Sequence, residues 1–389
     1  MKKSKFRSRS HRPPPPQQRV CEFRVDDLSR AGNGVAKDDS GRVVFIPFTA
    51  PGDLVKARIV SQKSKFAQAE LLEVLEPSAQ RRPPHCPVFG RCGGCDWQHI
   101  DYVLQWQTKL HGVKEALSRV KVPLPLSWQE YPAEQTWSYR NRIQLHGHNE
   151  VVGFYARSSH TIVPIERCAI ARDELNAYIE KIREQGRLRS KPFRVELELS
   201  VGGGVRSTWD DTIAASDFQQ VNSEQNHNLQ QWVMENISKH RPVLDLYGGS
   251  ANLSTRLAPD SPHIYCVDLV VPENTSDQWP ENITFHKSDV FTWVVEKARQ
   301  WQKNTSPAEA RSAIIDPPRG GMPEQLPEFI DSLERLNVTE LIAVGCKTDT
   351  WARDVAGFVQ RGWCAVKVAV FDFFPQTAHV ESAALLRRE

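Results

Sequence analysis

The 389-residue chain has no apolar run approaching the ~18 residues that a membrane-spanning helix needs, and no apolar stretch near its N-terminus of the kind that directs secretion. Membrane and secreted classes fall away on that ground, and a cytoplasmic protein with no membrane partner is expected. No internal repeat is present, which sets aside repeat arrays. The first 20 residues hold no acid. Seven Lys and Arg stand there unopposed while the remainder carries 43 basic against 47 acidic residues, so the net charge of +3 belongs to the tail. With its Pro13 to Pro16 run, the segment 1–20 cannot bury enough apolar surface to fold. It is expected to be disordered and to lie against polyanions, nucleic acid foremost, a merely solubilising terminus being the plain alternative.

What is present is ordinary for a folded protein, with 40% hydrophobic and 25% charged residues. The length exceeds what one hydrophobic core organises, so two or three domains are expected. Residues 21–78 alternate short apolar stretches with Gly32-Asn33-Gly34, Ser40-Gly41 and Pro51-Gly52-Asp53, the spacing of a small antiparallel β-barrel of the kind that often binds oligonucleotides. Its loop Lys63-Ser64-Lys65 is either a phosphate contact or a solvated turn. Residues 79–215 mix a cysteine-rich turn, a helix bearing Gln and Lys (Tyr102 to Leu117) and further strands, an α+β pattern. Residues 216–389 alternate strand and helix, which predicts a doubly wound, mainly parallel Rossmann-like sheet.

Eight cysteines, clustered and without an export signal, argue against a disulfide framework and for reduced thiols that bind metal or react. Cys86-x5-Cys92-x2-Cys95, with Cys168 far downstream, offers four sulfurs, three of them on a loop loosened by Gly90, Gly93 and Gly94. Four thiolates suit tetrahedral zinc or an iron–sulfur cluster, and the x5/x2 spacing, unlike common zinc ribbons, favours the cluster. Unliganded buried cysteines are the bland alternative.

In the last region five strand patterns each finish on a polar or reactive residue: Val243 to Tyr247, Ile264 to Asp268, Ile283 to Asp289, Ala313 to Asp316 and Leu341 to Cys346. The carboxyl ends of such strands line one crevice. The first runs into Gly248-Gly249-Ser250-Ala251-Asn252 and a helical Leu253 to Ala258, a turn that a nucleotide-like ligand can approach. Asp268 is placed to accept ribose hydroxyls, although any single acid here could be a helix cap. Pro317 and Pro318 stiffen the loop behind Asp316. Cys346 precedes a helix expected over Thr350 to Gln360, whose dipole would lower its thiol pKa and make it a nucleophile. Cys266 and Cys364 are assigned to the core. Trp363 to Phe374 and His379 to Leu386 form a hairpin, and Glu381, on its terminal strand, is expected to face water.

Taken together, the cysteine spacing with Cys168, Ser138-Tyr139-Arg140-Asn141-Arg142, Asp217-Phe218-Gln219-Gln220-Val221-Asn222, VLDLYGGSAN, IIDPPRGG, VGCKTDTWARD and FPQTAHVESAALLRR resemble the RNA uracil-5 methyltransferases. The resemblance is to the ribosomal-RNA branch with an N-terminal TRAM barrel and a [4Fe-4S] cluster, and covers nearly the whole chain after the tail. It implies S-adenosyl-L-methionine as cofactor, with Gln220, Tyr247, Asn252, Asp268, Asp289 and Asp316 around the cofactor and the target base. It further implies Cys346 as nucleophile, Glu381 as base (against the solvent-facing expectation), Asp316 as an orienting group, and Cys86, Cys92, Cys95 and Cys168 as cluster ligands. Tyr247, Gly248 and Ala251 depart from the family's F-C-G-x-G-N turn, and Lys347-Thr348 replaces its Asn-Pro after the nucleophile. The implied substrate is looped or single-stranded RNA, most directly 23S rRNA, gripped by the barrel, the tail and Arg140/Arg142, the two arginines alternatively forming internal ion pairs. The implied assembly is a monomer. A transfer-RNA methyltransferase and a non-catalytic iron–sulfur RNA-binding protein are the rival readings.

Overall fold

The computed structural model describes residues 19–125, 127–200, 202–210, 220–272, 279–301 and 309–388. Residues 1–18 of the tail and Asp217 to Gln219 of the sequence motif lie outside the described residues. Two compact units divide the chain at Arg81/Arg82.

The first unit is a closed barrel of β1 (Val20–Leu28), β2 (Gly34–Lys37), β3 (Val43–Ile46), β4 (Leu54–Gln62) and β5 (Phe66–Glu76), in the order β1-β2-β3-β5-β4. Every pairing is antiparallel except β3 with β5, which is parallel, so the expected antiparallel barrel is corrected at that seam. Alternate residues such as Phe23, Val25, Val44, Ile46, Val55 and Ala57 fill its interior, as period-two side-chain alternation requires. Register shifts along β4 and β5 supply the curvature that closes it. Lys63, Ser64 and Lys65 are exposed.

The second unit contains two sheets. Ahead of the smaller sheet in sequence come α1 (Tyr102–Arg119), capped by Asp101, and β6 (Ser127–Tyr131). The smaller sheet pairs β7 (Arg142–His148), β8 (Val151–Tyr155), β9 (Ile162–Pro164), β10 (Phe193–Leu199) and β11 (Val205–Trp209), all antiparallel. The helix α2 (Asp173–Arg187) buries Leu175, Ile179 and Ile182 in its core.

The larger sheet follows α3 (Ser223–Asn236) and is built on β12 (Val243–Leu246), β13 (Ile264–Asp268), β14 (Ile283–Lys287), β15 (Arg311–Ile315) and β16 (Val338–Gly345), in the parallel order β14-β13-β12-β15-β16. A hairpin of β17 (Trp363–Phe371) and β18 (Glu381–Arg388) extends it, β18 entering antiparallel between β16 and β17. The eighth strand is β6, parallel to β17, so a strand from the middle of the chain belongs to this sheet and residues 82–389 pack as one unit.

Successive residues of the central strands alternate between two cores. Leu244, Ala313, Leu341 and Ala343 meet α1, α4 (Val290–Trp301), α5 (Leu326–Arg335) and α6 (Thr348–Val359) on one face, while Val243, Ile314, Ile342 and Val344 meet α3 on the other. The expected helix at Leu253 to Ala258 is instead a turn followed by a 3-10 segment, Thr255–Asp260, with Pro259 inside it. Cys266 is buried as expected, whereas Cys364 is exposed. No helix among the described residues is long and apolar enough to cross a membrane.

Candidate active site

The carboxyl ends of the parallel strands meet as expected. After β12 the chain turns through Tyr247, Gly249 and Ala251, all at positive φ. A Cβ on Gly248 would lie 2.6 Å from Cys266 Sγ and 2.7 Å from Asp245 Cγ, so only glycine fits there. Gly249 N donates to Asp268 Oδ2 at 3.0 Å, and Val270 N to Asp268 Oδ1 at 3.0 Å, fixing that carboxylate at the tip of β13. Asn252 exchanges amide hydrogen bonds with Asn226 at 2.9 and 3.0 Å and accepts from Gln230, tying the turn to α3. Asp289 caps α4, its Oδ1 accepting from Thr292 N and Oγ1 at 2.9 Å each, the ordinary use of an acid at a helix start. Gln220 is buried, its carbonyl accepting from Asn141 Nδ2 at 3.0 Å.

Asp245, which the sequence marked only as a strand residue, belongs to this group. It is 1% exposed, and burial pushes its carboxyl up to about 6 against a lowering hydrogen bond from Ser254. Asp316, at the exit of β15, is half-buried, and burial reinforced by Asp245 pushes its carboxyl up to about 7.

Cys346 stands directly behind β16. Gly345 pairs with Ser382 and Phe371 with Glu381, so one step along the β16–β18 register sets Cys346 opposite Glu381. Glu381 is 2% exposed, which overturns the solvent-facing expectation: its strand is enclosed between β16 and β17. Burial, then the Asp316 charge, raises its carboxyl well above the usual range, opposed by Arg319. The Cys346 thiol is raised to about 11 by burial and by Glu381, with Arg319 pulling the other way and Asp316 adding to the rise. The expected lowering by the dipole of α6 is therefore corrected: desolvation and two carboxylates outweigh a helix terminus whose cap, Lys347, makes no side-chain cap bond. Pro317, Pro318, Arg319, Gly321, Thr350 and Asp354 line the cleft around the thiol. Arg319 was quoted in the sequence motif without a role. Its charge acts on Cys346, Glu381 and His379 together.

The second cluster is built on the loop 86–95 and Cys168. Cys86, Cys92, Cys95 and Cys168 line one cavity of about 80 Å³, walled by Val88, Phe89, Ile143, Phe154 and Ile165. Cys86 N donates to Gln98 Oε1 at 2.9 Å and Cys168 N to Asn176 Oδ1 at 2.8 Å, fixing the loop ends. Gly93 lies against the backbone of Tyr155 and Arg157, its would-be Cβ 3.1 Å from the Tyr155 carbonyl, so a side chain there would push the cysteine loop and β8 apart by a few tenths of an ångström. Burial raises the thiols of Cys92, Cys95 (to about 12) and Cys168. Among the described residues no three His, Cys, Asp or Glu converge on a point that would hold a single metal ion. Arg140 also lines this cavity, with its Nε enclosed and unpartnered, and Arg142 pairs with Glu196 at 2.6 Å. Arg142 thus takes the internal ion pair that was the alternative to a phosphate contact.

A doubly wound sheet with a glycine turn and acids at the carboxyl ends of its parallel strands is an architecture that binds nucleotide-like cofactors in the crevice at those ends. Comparisons with known proteins make this specific. The family described as tRNA (Uracil-5-)-methyltransferase matches residues 206–389, and the TRAM domain family matches residues 18–72, the span of the barrel. An uncharacterised RNA methyltransferase of Bdellovibrio bacteriovorus is 32% identical over 387 residues, covering 94% of either chain. A 23S rRNA (uracil(1939)-C(5))-methyltransferase of Vesicomyosocius okutanii is 25% identical, covering 95% of this chain and 98% of its own. The crystal structure of Pyrococcus abyssi tRNA (uracil-54, C5)-methyltransferase with S-adenosyl-L-homocysteine shares the fold at TM-score 0.68 and 20% identity, over 94% of this chain and 99% of that one. The chain belongs to the RNA (uracil-5-)-methyltransferase family. It is an enzyme that methylates RNA with S-adenosylmethionine as its cofactor.

Proposed function

We propose that the enzyme methylates C5 of a uridine in 23S rRNA, with Cys346 as nucleophile, Glu381 as general base and Asp316 orienting the uracil edge. The observation that carries this reading is that Cys346, directly behind β16, lies close enough to Glu381, Asp316 and Arg319 for its thiol to feel the charge of all three. Uracil C5 is a weak nucleophile until C6 is attacked. The Cys346 thiolate adds to C6, and the displaced electron pair moves onto C5 and O4. S-adenosylmethionine, when bound, supplies the methyl group that C5 takes up, leaving as a neutral thioether. Glu381 then accepts the C5 proton, the C5–C6 double bond reforms, and the C6–S bond breaks to return the thiolate. Its raised pKa makes the ionised glutamate a stronger base for that step. Arg319 sits where its charge opposes the rise at Glu381 and favours the Cys346 thiolate.

Gln220, Tyr247, Asn252, Asp268, Asp289 and Asp316 are the proposed cofactor and base pocket. The capping bonds of Asp289 and the Asn226 contact of Asn252 make those two indirect supports, while Asp268 remains suited to ribose hydroxyls. The target uridine must leave its stack to reach Cys346, at a cost of a few kcal/mol that is least in loops.

Cys86, Cys92, Cys95 and Cys168 are the proposed holders of a [4Fe-4S] cluster. A lone tetrahedral zinc would require four sulfurs within about 2.3 Å of one point. Sulfurs spread around the wall of an apolar cavity suit a larger polynuclear body instead. Held by these four thiolates, such a cluster would staple the loop 86–95 to Cys168; no step of methyl transfer involves it.

The full-length similarity to a 23S rRNA methyltransferase, together with the barrel, favours ribosomal over transfer RNA. Mapping 5-methyluridine in total RNA from cells with and without the gene tests the substrate: loss of one 23S rRNA site supports the reading, and loss confined to tRNA overturns it. Cys346→Ala should abolish methylation with cofactor binding retained, and Glu381→Gln should trap a covalent protein–RNA adduct on a denaturing gel.

A further inference from the structure

The helix α1 carries two polar side chains that the chemistry above leaves unused. Gln105 and Lys109 stand one turn apart and are 0% and 3% exposed. Both are directed at the connection between β17 and β18. Lys109 Nζ donates to Asp372 Oδ1 at 2.7 Å and to the Phe374 carbonyl at 3.0 Å, and both partners of that ion pair are wholly enclosed. Gln105 Oε1 accepts from Gln376 N at 2.9 Å, and its Nε2 donates to Gln376 Oε1 at 3.1 Å and to the Trp97 carbonyl at 3.1 Å. The Gln376 carbonyl in turn accepts from Asp96 N and Trp97 N at 3.0 Å each, immediately beyond Cys95.

Gln376 has φ +68°, a left-handed conformation that a side chain other than glycine adopts at a cost and holds only when its surroundings fix it. Tyr139 OH donates to the Pro375 carbonyl at 3.1 Å, and His379 N to Thr377 Oγ1 at 3.2 Å, so the connection is bonded along its length. It delivers Glu381 as the first residue of β18.

Stability alone does not account for this arrangement. A buried ion pair loses about as much in desolvation as it gains in attraction, and apolar residues of similar volume often replace it without loss. What the pair and the doubly held glutamine do is fix a path. We propose that Gln105 and Lys109, with the backbone N–H groups of Asp96 and Trp97, are positioning residues that hold the β17–β18 connection so that the Glu381 carboxyl meets the C5 proton. This rests on Glu381 being the base. Attack by Cys346 and methyl uptake precede that proton transfer and do not use Glu381, so a loosened connection should slow elimination alone.

The test uses the full-length enzyme with ribosomal RNA from cells lacking the gene. Gln105→Met keeps side-chain volume and removes the amide. Lys109→Met alone would leave the Asp372 charge buried and unpaired, so the second variant is Lys109→Met with Asp372→Leu, which restores an apolar pair. In both, the methylated covalent adduct should accumulate on a denaturing gel, and release of methylated RNA should fall about 10- to 100-fold, the scale of a small misplacement of a reacting group. Adduct formation and S-adenosylhomocysteine affinity should stay near wild type. If either folded variant releases product at the wild-type rate, or if adduct formation and release fall in parallel, the proposal is overturned. Glu381→Gln separates the two levels: no adduct there overturns the base assignment itself, whereas adduct there and none in the α1 variants overturns only the positioning role.

Discussion

The resting state of Cys346 is the most exacting test of the electrostatics. Burial and the charges of Glu381 and Asp316 raise its thiol from 9.0 to about 11. At pH 8 that leaves about one molecule in 1,000 as thiolate, against about one in ten for an unperturbed thiol. Thiolate nucleophilicity rises with basicity with a slope of about 0.4–0.5, which returns about eightfold, so alkylation should run about tenfold slower than at a free cysteine. The assay is iodoacetamide labelling of the RNA-free enzyme between pH 7 and 11, followed by mass spectrometry of the peptide containing Cys346. The rate should climb about tenfold per pH unit up to about pH 10 and bend near 11. Glu381→Gln removes the larger carboxylate and should move the bend to lower pH, while Arg319→Leu removes the opposing cation and should move it higher. A bend at or below about 8.5 would mean that the N-terminus of α6 dominates after all. The reverse order of the two variants would refute the account of which charges the thiol feels.

Asp245 is fully buried with a carboxyl raised from 3.8 to about 6. A raised folded-state pKa favours the fold below pH ~4 and loses that benefit as pH rises to about 6, so urea denaturation should show wild type losing up to about 3 kcal/mol across that window relative to Asp245→Asn. Gly248→Ala should cut S-adenosylhomocysteine affinity by at least about tenfold in calorimetry, because the new Cβ displaces Asp245 and Cys266. Cys168→Ser should lower iron and acid-labile sulfide per chain after anaerobic purification, and an equimolar zinc content in the wild type would refute the cluster. RNA affinity should fall linearly on a log–log plot against salt, with a shallower slope once residues 1–18 are removed.

The strand ends of the catalytic sheet were legible because parallel strands buried on both faces are nearly continuous apolar runs, so the residue at which each run stops is conspicuous. The barrel was legible from its turns, since Gly52 takes φ +92° and so marks a chain reversal. What escaped the sequence depended on partners distant along the chain. Arg142 looks like a phosphate ligand until Glu196, 54 residues away, is seen to hold it. β6 is a short, mixed strand (SWQEY) whose place is set by β17, more than 230 residues on. The parallel seam of the barrel likewise depends on β3 meeting β5 across the intervening hairpin strand β4. Glu381 looked exposed because a strand near a chain end is ordinarily an edge; its burial comes from insertion between β16 and β17, an order that no local pattern encodes.

The same cause accounts for both departures from expectation at the reacting centre. An environment dry enough to raise the Glu381 carboxyl well above the usual carboxylate range also raises the thiol of Cys346, away from the thiolate that a helix terminus alone would favour. The two requirements conflict in the resting enzyme, and Arg319 is the group whose charge opposes the rise at both. A phosphate drawn toward Arg319 by incoming RNA would weaken that opposition, whereas an uncharged base stacked over Cys346 would leave it intact. For the proposed reaction this favours a substrate that enters base first and keeps its backbone outside the cleft, as extrusion of a single uridine from a loop would do.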